Sequence, residues 1–539
     1  MHSYAIPGTC DVLVVGGGPG GAYAAAALAL EGLHVVLLEA EQFPRYHIGE
    51  SMLPAMRHLL RFIDADLDFD QFGFTKKIGA AFKLSALNRE GYTDFLAAGG
   101  PENYSWNVVR SDADMILFQH AAKCGAQVFD GIKVTSVKFK DDGDPLIARP
   151  IEACYKGMAD GREGDISFKY LVDASGRAGL LSQKYLKNRI YNEDLKNVAS
   201  WAYWSNVDTS ARGTDRENTP FFEALTDGSG WAWFIPLHTG TSIGVVINQE
   251  IASQKKRSAT RAPTSNEFYL EQLRLAPTLF SLIGNGKQFV GPDGKPELRS
   301  ASDYSYVSSY YALPGCRLVG DAGAFIDPLF SSGVHLALTS GLSAALTICA
   351  ATRGDFTEEE AANWHSDKVK GSFSWFLMVV LGTYEQIKAQ DEPILSEADE
   401  DNFDRAFEYF RPVIQGSVDV YNVLSEKEIS RTLDFCSSSW DSAQPQLRDS
   451  LLRKISQNMP GRDNAMFISP DPCDEPGVPQ GRKGGMTAEE QRLLAYLKSR
   501  RLLRTEDIMN IQNFSADVVR GYRPRLLRGK LGLEKTVRA

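Results

Sequence analysis

The chain has few cysteines and none in a CxxC pair: seven in 539 residues, at Cys10, Cys124, Cys154, Cys316, Cys349, Cys436 and Cys473. That scatter offers neither a disulfide framework nor a thiolate zinc site, and it fits a reducing compartment. No metal site is expected. Positive charge is short as well. Lysine and arginine number 58 against 68 acidic residues, a net charge of −10, which excludes the basic surface of a general nucleic-acid binder. Residues 1–9 carry no basic segment followed by an apolar stretch, so no secretory leader is expected. Long apolar runs are missing too. Residues 334–350 are interrupted by His335, Thr339, Ser340 and Ser343, and residues 375–381 fall far short of the roughly 20 residues a bilayer span needs. Both predict buried helix, no membrane partner and a cytoplasmic location. There is no internal repeat.

What is there reads first at the amino terminus. Residues 11–15 (DVLVV) form a short apolar run ending in glycines, as a buried parallel strand does. An alanine-rich helix is expected over about 20–31 and a second strand over 34–39 (HVVLLE). Between them Gly16, Gly18 and Gly21 make a GxGxxG fingerprint, with Gly20 inside it. The first glycine permits a tight turn, the second a close approach to a pyrophosphate, and the third close packing of helix on strand. The helix N-terminus then faces the phosphates. Glu39 ends the next strand 18 residues after Gly21, where a carboxylate accepts from ribose hydroxyls. With both strands and the acid in place, the unit binds a dinucleotide.

Signals downstream favour FAD over NAD. Arg45 and the triplet Gly49-Glu50-Ser51 follow the second strand, and Arg110 precedes an expected helix. Asp173-Ala174-Ser175-Gly176 closes one strand, and Gly320-Asp321 closes another, placing Asp321 where it can hold the ribityl chain. This series resembles the flavin monooxygenase superfamily with the hydroxybenzoate-hydroxylase fold. The expected architecture is therefore α/β. A Rossmann-like FAD-binding domain (about 8–80, 105–180 and 300–355) carries an inserted, sheet-built substrate domain (about 81–104 and 181–299). Together these make residues 1–355. A mostly helical region follows over 356–539, with an acidic block at Asp391–Asp404, a Pro/Gly-rich loop over 459–485, a capping box at Thr487 and Glu490, and a basic tail expected to pair with the acidic block.

Two further segments carry chemistry. In residues 231–236 (WAWFIP) a strand would put Trp231, Trp233 and Ile235 on one face. Along residues 76–84 (KKIGAAFKL) one continuous strand would put Ile78, Ala80, Phe82 and Leu84 on a core face. Lys77, Gly79, Ala81 and Lys83 would share a roomier one. A lysine desolvated in such room has a lowered pKa.

With RYHIGESMLP, WNVVRS, DASGR and GDAGAFIDPLFSSGVH, these segments resemble the fungal phenolic flavin-dependent halogenases, the group acting on resorcylic lactones and related polyketide phenols. The resemblance covers residue 10 to at least residue 341. It implies Lys77 as the essential lysine, 27 residues after Glu50, and halide held at Ser332 and Gly333. It implies a reaction in which reduced FAD from a separate flavin reductase, O2, and chloride or bromide give hypohalous acid, which halogenates a phenolic substrate at Lys77. Tryptophan halogenases carry a glutamate where this chain has Phe330, so a free phenol is expected rather than tryptophan; a phenol on a carrier protein stays open as the less favoured case. The chloramine and hydrogen-bond roles of Lys77 both stay open, as does the base that removes the ring proton. The rivals are a single-component aromatic hydroxylase, an isoprenoid double-bond reductase, and a silent flavoprotein whose tail binds a partner.

Overall fold

The computed structural model describes residues 5–86, 90–390, 514 and 518–536. The first sheet begins with the expected βαβ unit: strand Thr9–Val15, helix Pro19–Leu30 and strand Val35–Leu38. Thr9–Val15 pairs in parallel with Val35–Leu38 on one side and Glu163–Asp173 on the other. Cys316–Leu318 extends the parallel set beyond Glu163–Asp173, and Gln127–Phe129 extends it beyond Val35–Leu38. Strands buried on both faces need no polar alternation, and DVLVV and VVLL show none.

Helix Pro19–Leu30 is buried nearly all round, which is why it is alanine-rich rather than amphipathic. Helix Gly333–Thr352 lies against it. A Cβ on Gly20 would stand 2.9 Å from the Ala337 carbonyl oxygen, and one on Gly341 would stand 2.7 Å from that of Gly20. That second helix is the one described helix long and apolar enough to cross a bilayer, and 89% of its apolar window is buried inside the protein. It is a core helix, as its serines, threonine and histidine imply.

The second sheet runs in the order Lys287–Gln288, Arg189–Ser205, Gly240–Asn248, Gly230–Leu237, Phe221–Ala224, Gly79–Lys83, Gly91–Asp94, with Arg299–Ser308 also on Arg189–Ser205. Residues 300–308 thus sit in the substrate sheet, beyond the boundary near 299 read from sequence. One face of this sheet packs on helix Glu358–Lys388, through Phe373, Phe376, Val380, Tyr384 and Ile387.

The carboxyl terminus differs from the helical expectation. Tyr522–Arg525 and Gly532–Lys535 form an antiparallel hairpin that buries Leu531 and Leu533 in the first core. The Gly529 and Leu531 amides donate to Glu31. Arg525 pairs with Asp355 and Arg528 with Asp64, which anchors the basic tail on the first domain. The acidic block, the Pro/Gly-rich loop and the Thr487 capping box lie outside the described residues.

Candidate active site

At the carboxyl ends of the first sheet's parallel strands, where open α/β sheets bind ligands, lies a cavity of about 750 Å³. Gly16, Gly18, Gly20, Glu39, Arg45, Gly49, Glu50, Ser51, Arg110, Gly320, Asp321 and Gly333 all reach its wall, as do Trp231, Trp233 and Ile235. The sequence-derived site is therefore largely one place.

The glycines divide by what constrains them. Gly16 has φ +104°, and a Cβ there would stand 2.1 Å from the Ala174 carbonyl oxygen. A Cβ on Gly21 would stand 2.0 Å from that of Gly16, so Gly21 packs helix on strand and does not face the cavity. At Gly18 the nearest protein atom is Arg45 Nη2, at 3.4 Å; the space beside it belongs to whatever fills the cavity. Gly18 also precedes the helix with no side-chain cap, leaving first-turn amides for an anion. Glu39 accepts from the Gly17 amide at 2.6 Å and from Glu41 at 3.0 Å, which fixes its carboxylate at the cavity edge.

Arg45 and Arg110 are not surface salt bridges. Asp114 is buried between them, accepting from Arg110 at 2.8 and 3.0 Å and from Arg45 at 3.0 Å. Arg110 also donates to the Ile48 carbonyl, pinning the loop that carries Gly49, Glu50 and Ser51. Asp321 is half-buried on the cavity wall, and desolvation there pushes its carboxyl up to about 6, against the pull of Arg177, Arg110 and Arg189. Asp173 departs from expectation. Its carboxylate accepts from the Ser175 and Leu181 amides at 3.0 and 2.7 Å and is absent from the cavity wall. It shapes the turn that the other residues stand on. An uncapped helix start, an open Gly18, a fixed Glu39 and a cavity of about 750 Å³ fit FAD.

The tryptophan strand Gly230–Leu237 forms the far wall, with Trp231, Trp233 and Ile235 on one face and Ala232 and Phe234 on the other. Each tryptophan removes roughly 150–250 Å² from water, about 4–6 kcal/mol at ~25 cal/mol per Å², which holds both rings against the sheet. Each indole N–H is also paired, Trp231 with Tyr384 at 2.8 Å and Trp233 with Ser242 at 3.1 Å. Tyr384 in turn donates to the buried Asp327 at 2.6 Å. Asp327 also accepts from the Leu329 amide at 3.0 Å, which joins the wall to the loop before Gly333.

In that loop Ser331 is left-handed, φ +57°. Ser332 is wholly buried with an unpartnered hydroxyl, and it lies behind the cavity wall. Gly333 opens helix Gly333–Thr352 on the wall itself. An orphaned hydroxyl beside a helix N-terminus suits a halide. Phe330 is buried against Phe82, with ring centroids 5.5 Å apart.

Lys77 corrects the single-strand reading of residues 76–84. Thr75–Lys77 pairs with Ser105–Asn107, while Gly79–Lys83 belongs to the second sheet; Ile78 turns the chain between them and accepts from the Phe95 amide. The space beside Gly79 is filled, since a Cβ there would meet the Tyr92 hydroxyl at 2.2 Å. Lys83 is elsewhere, donating to Thr278 at 2.9 Å and pairing with Glu223. Lys77 is 1% exposed. Its Nζ donates to the Met52 carbonyl at 2.9 Å and lies 5.3 Å from the Phe95 ring centroid. Burial pulls its amine down to about 7. It does not touch the cavity wall.

Residues not anticipated complete the site. Tyr203 donates to Glu50 at 2.6 Å, Tyr46 lies 3.1 Å from Tyr203, and Trp201 donates to Tyr46 at 2.7 Å. Burial pushes the Glu50 carboxyl up to about 7. His47, on the wall, is held down to about 4, chiefly by the positive charge of Arg110. None has a spacing signal, because their partners are far away in sequence.

The family described as tryptophan halogenase matches residues 11–102 and 89–443. A flavin-dependent halogenase of Acremonium egyptiacum is 52% identical over 541 residues, 98% of this chain and 93% of that protein. The sulochrin halogenase of Aspergillus terreus is 44% identical, over 98% of this chain and 94% of that protein. Among solved structures, the myxobacterial chondrochloren halogenase, an FAD-dependent enzyme, superimposes with a TM-score of 0.64 at 26% identity, covering 80% of this chain and 98% of that one. A flavin-dependent brominase superimposes at 0.62 with 23% identity and shares the fold.

Proposed function

The chain belongs to the flavin-dependent halogenases, and from that premise we propose that it halogenates a free, electron-rich phenol, such as a phenolic polyketide, through hypohalous acid delivered to Lys77. The observation that carries this reading is Lys77 itself. It is a wholly buried amine, pulled down to about 7 by burial, held on the Met52 carbonyl beside the Phe95 ring and off the cavity wall. A hydroxylase, which passes oxygen straight from flavin to ring, has no use for it.

Gly16, Gly18, Gly20, Glu39, Arg45, Gly49, Glu50, Ser51, Arg110, Gly320 and Asp321 would hold FAD. Gly21 and Asp173 act on it through packing and turn geometry. When bound in reduced form, FAD supplies with O2 the oxidising equivalents that turn chloride or bromide into hypohalous acid. Ser332 and Gly333 would hold the halide, by the unpartnered hydroxyl and the helix N-terminus. The tryptophan wall would keep the substrate ring from the flavin, so the oxidant is spent at Lys77. A phenol oxygen already directs charge to the ortho and para carbons, and Phe330 against Phe82 adds apolar surface where tryptophan halogenases use an acid.

Membership of the halogenase family supports a separate flavin reductase as the source of reduced FAD, and the sequence holds no second GxGxxG beyond residues 16–21. A site that releases oxidised FAD and captures reduced FAD is expected to bind it near micromolar, about 8 kcal/mol. Purified protein should be pale, and NADPH alone should not reduce its flavin at a catalytic rate. Stopped-flow absorbance checks this. Fast phenol-stimulated NADPH oxidation with a hydroxylated product would replace the proposal with the single-component hydroxylase.

A further inference from the structure

Beside Lys77, four polar atoms have no hydrogen-bond partner in the protein: Ser51 Oγ, Ser105 Oγ, and Asn107 Oδ1 and Nδ2. Ser105 and Asn107 are 0% exposed and Ser51 is 6% exposed. Proteins pair their buried amides and hydroxyls, so three such residues together point to something outside the chain that pairs with them.

The strand register puts them on one face. Lys77 lies opposite Ser105, and Ser51 lies opposite Asn107 across an antiparallel bridge. The Met52 amide donates to the Trp106 carbonyl and the Val108 amide to the Glu50 carbonyl. This makes Ser51 and Asn107 a non-hydrogen-bonded pair, whose side chains approach closely. Alternation brings Ser105 to the same side as Asn107, while Met52 and Trp106 face the first core. The Lys77 side chain crosses the Ser105–Asn107 strand to put Nζ on the Met52 carbonyl, next to Ser51. Of these residues only Ser51 reaches the flavin cavity.

Resting on the reading that Lys77 receives hypohalous acid, we infer that Ser51, Asn107 and Ser105 are the path by which that acid leaves the cavity and reaches Lys77. The chemistry of the donor set selects the species. A halide would meet the amide N–H and the hydroxyls but would leave the Asn107 carbonyl unmatched. A cation would leave the N–H groups unmatched. A small neutral molecule with one O–H donor and a lone-pair oxygen matches both, and hypohalous acid is such a molecule. A phenol ring is too large for side chains this enclosed. Water meets the same donor set and is the alternative occupant.

The test uses the full-length enzyme with FAD, a flavin reductase, NADH, bromide and a dihydroxyarene, comparing wild type with Asn107→Leu and Ser105→Ala. Leucine keeps the heavy-atom count of asparagine. Halogenated product per O2 consumed should fall about fivefold in each, the factor one hydrogen bond is worth, and monochlorodimedone should trap the escaped oxidant. The FAD-free variants should melt no lower than wild type, since each loses an unpaired polar group. Wild-type coupling in both variants, with no trapped oxidant, would overturn the inference and leave water as the only occupant. A lowered melting temperature with reduced O2 uptake and no trapped oxidant would overturn it too, showing a structural role. Failure of the wild type itself to halogenate would instead overturn the reading of Lys77 beneath it.

Discussion

Lys77→Met is expected to abolish halogenation, by about a hundredfold or more, while making the protein more stable. The two effects have one cause. Nζ is buried with a single carbonyl acceptor, and its amine falls from 10.5 to about 7. Between those values the unfolded chain binds a proton that the folded chain does not, so stability rises with pH from about 7 to about 10.5. The burial cost is full below 7 and gone above 10.5. Methionine removes it, a gain of up to about 4 kcal/mol at neutral pH by the 1.36 kcal/mol per pKa unit relation. Denaturant titration at pH 6.5 and pH 10 should show a large difference between variant and wild type at the first pH and little at the second. The pH–rate profile also separates the two roles of the amine. A chloramine route needs neutral Lys77 and rises through pH 7, whereas hydrogen-bond donation from the ammonium falls. Unchanged product yield in Lys77→Met would remove Lys77 from the mechanism.

Gly18→Val is expected to fold normally and lose FAD binding, by at least about a hundredfold, nearly 3 kcal/mol. The protein tolerates a Cβ at Gly18, with only the flexible end of Arg45 near it, so the clash falls on the pyrophosphate. Gly21→Ala should behave oppositely. Its Cβ would meet the Gly16 carbonyl oxygen at 2.0 Å, forcing helix Pro19–Leu30 off the sheet and lowering the melting temperature before any ligand is added. Circular dichroism melts with flavin fluorescence titration distinguish the pair. Stoichiometric FAD in purified Gly18→Val would contradict the assignment.

Much of this site was legible because its signals are local. The βαβ unit announces itself by two apolar runs and a glycine turn, all within residues 9–39, and the tryptophan wall by period-2 alternation within six residues. The parts that were missed depend on distance. The strand break at Ile78 follows from its carbonyl pairing with Phe95, which nothing in KKIGAAF signals. Asp173 looked like a cofactor ligand because it ends a strand, yet the amide of Leu181 captures it. Tyr384 reaches Asn197 across 187 residues and Trp201 reaches Tyr46 across 155. Such pairs leave no spacing to read. The terminal hairpin has Pro524 in one strand and no alternation in the other, and both strands are only four residues long, so its packing on Glu31 and the first core decides that it is a strand pair.

The central claim is that oxidised halogen reaches a phenol at Lys77. Its most direct test is mass spectrometry of a resorcylic lactone or simple dihydroxyarene, with tryptophan in a parallel tube, incubated with the protein, FAD, a flavin reductase, NADH and bromide in air. The account predicts a product carrying the bromine isotope doublet from the phenol, none from tryptophan, and none from either with Lys77→Met. Efficient bromination of tryptophan with the phenol untouched, or a phenol gaining oxygen instead of bromine, would contradict it.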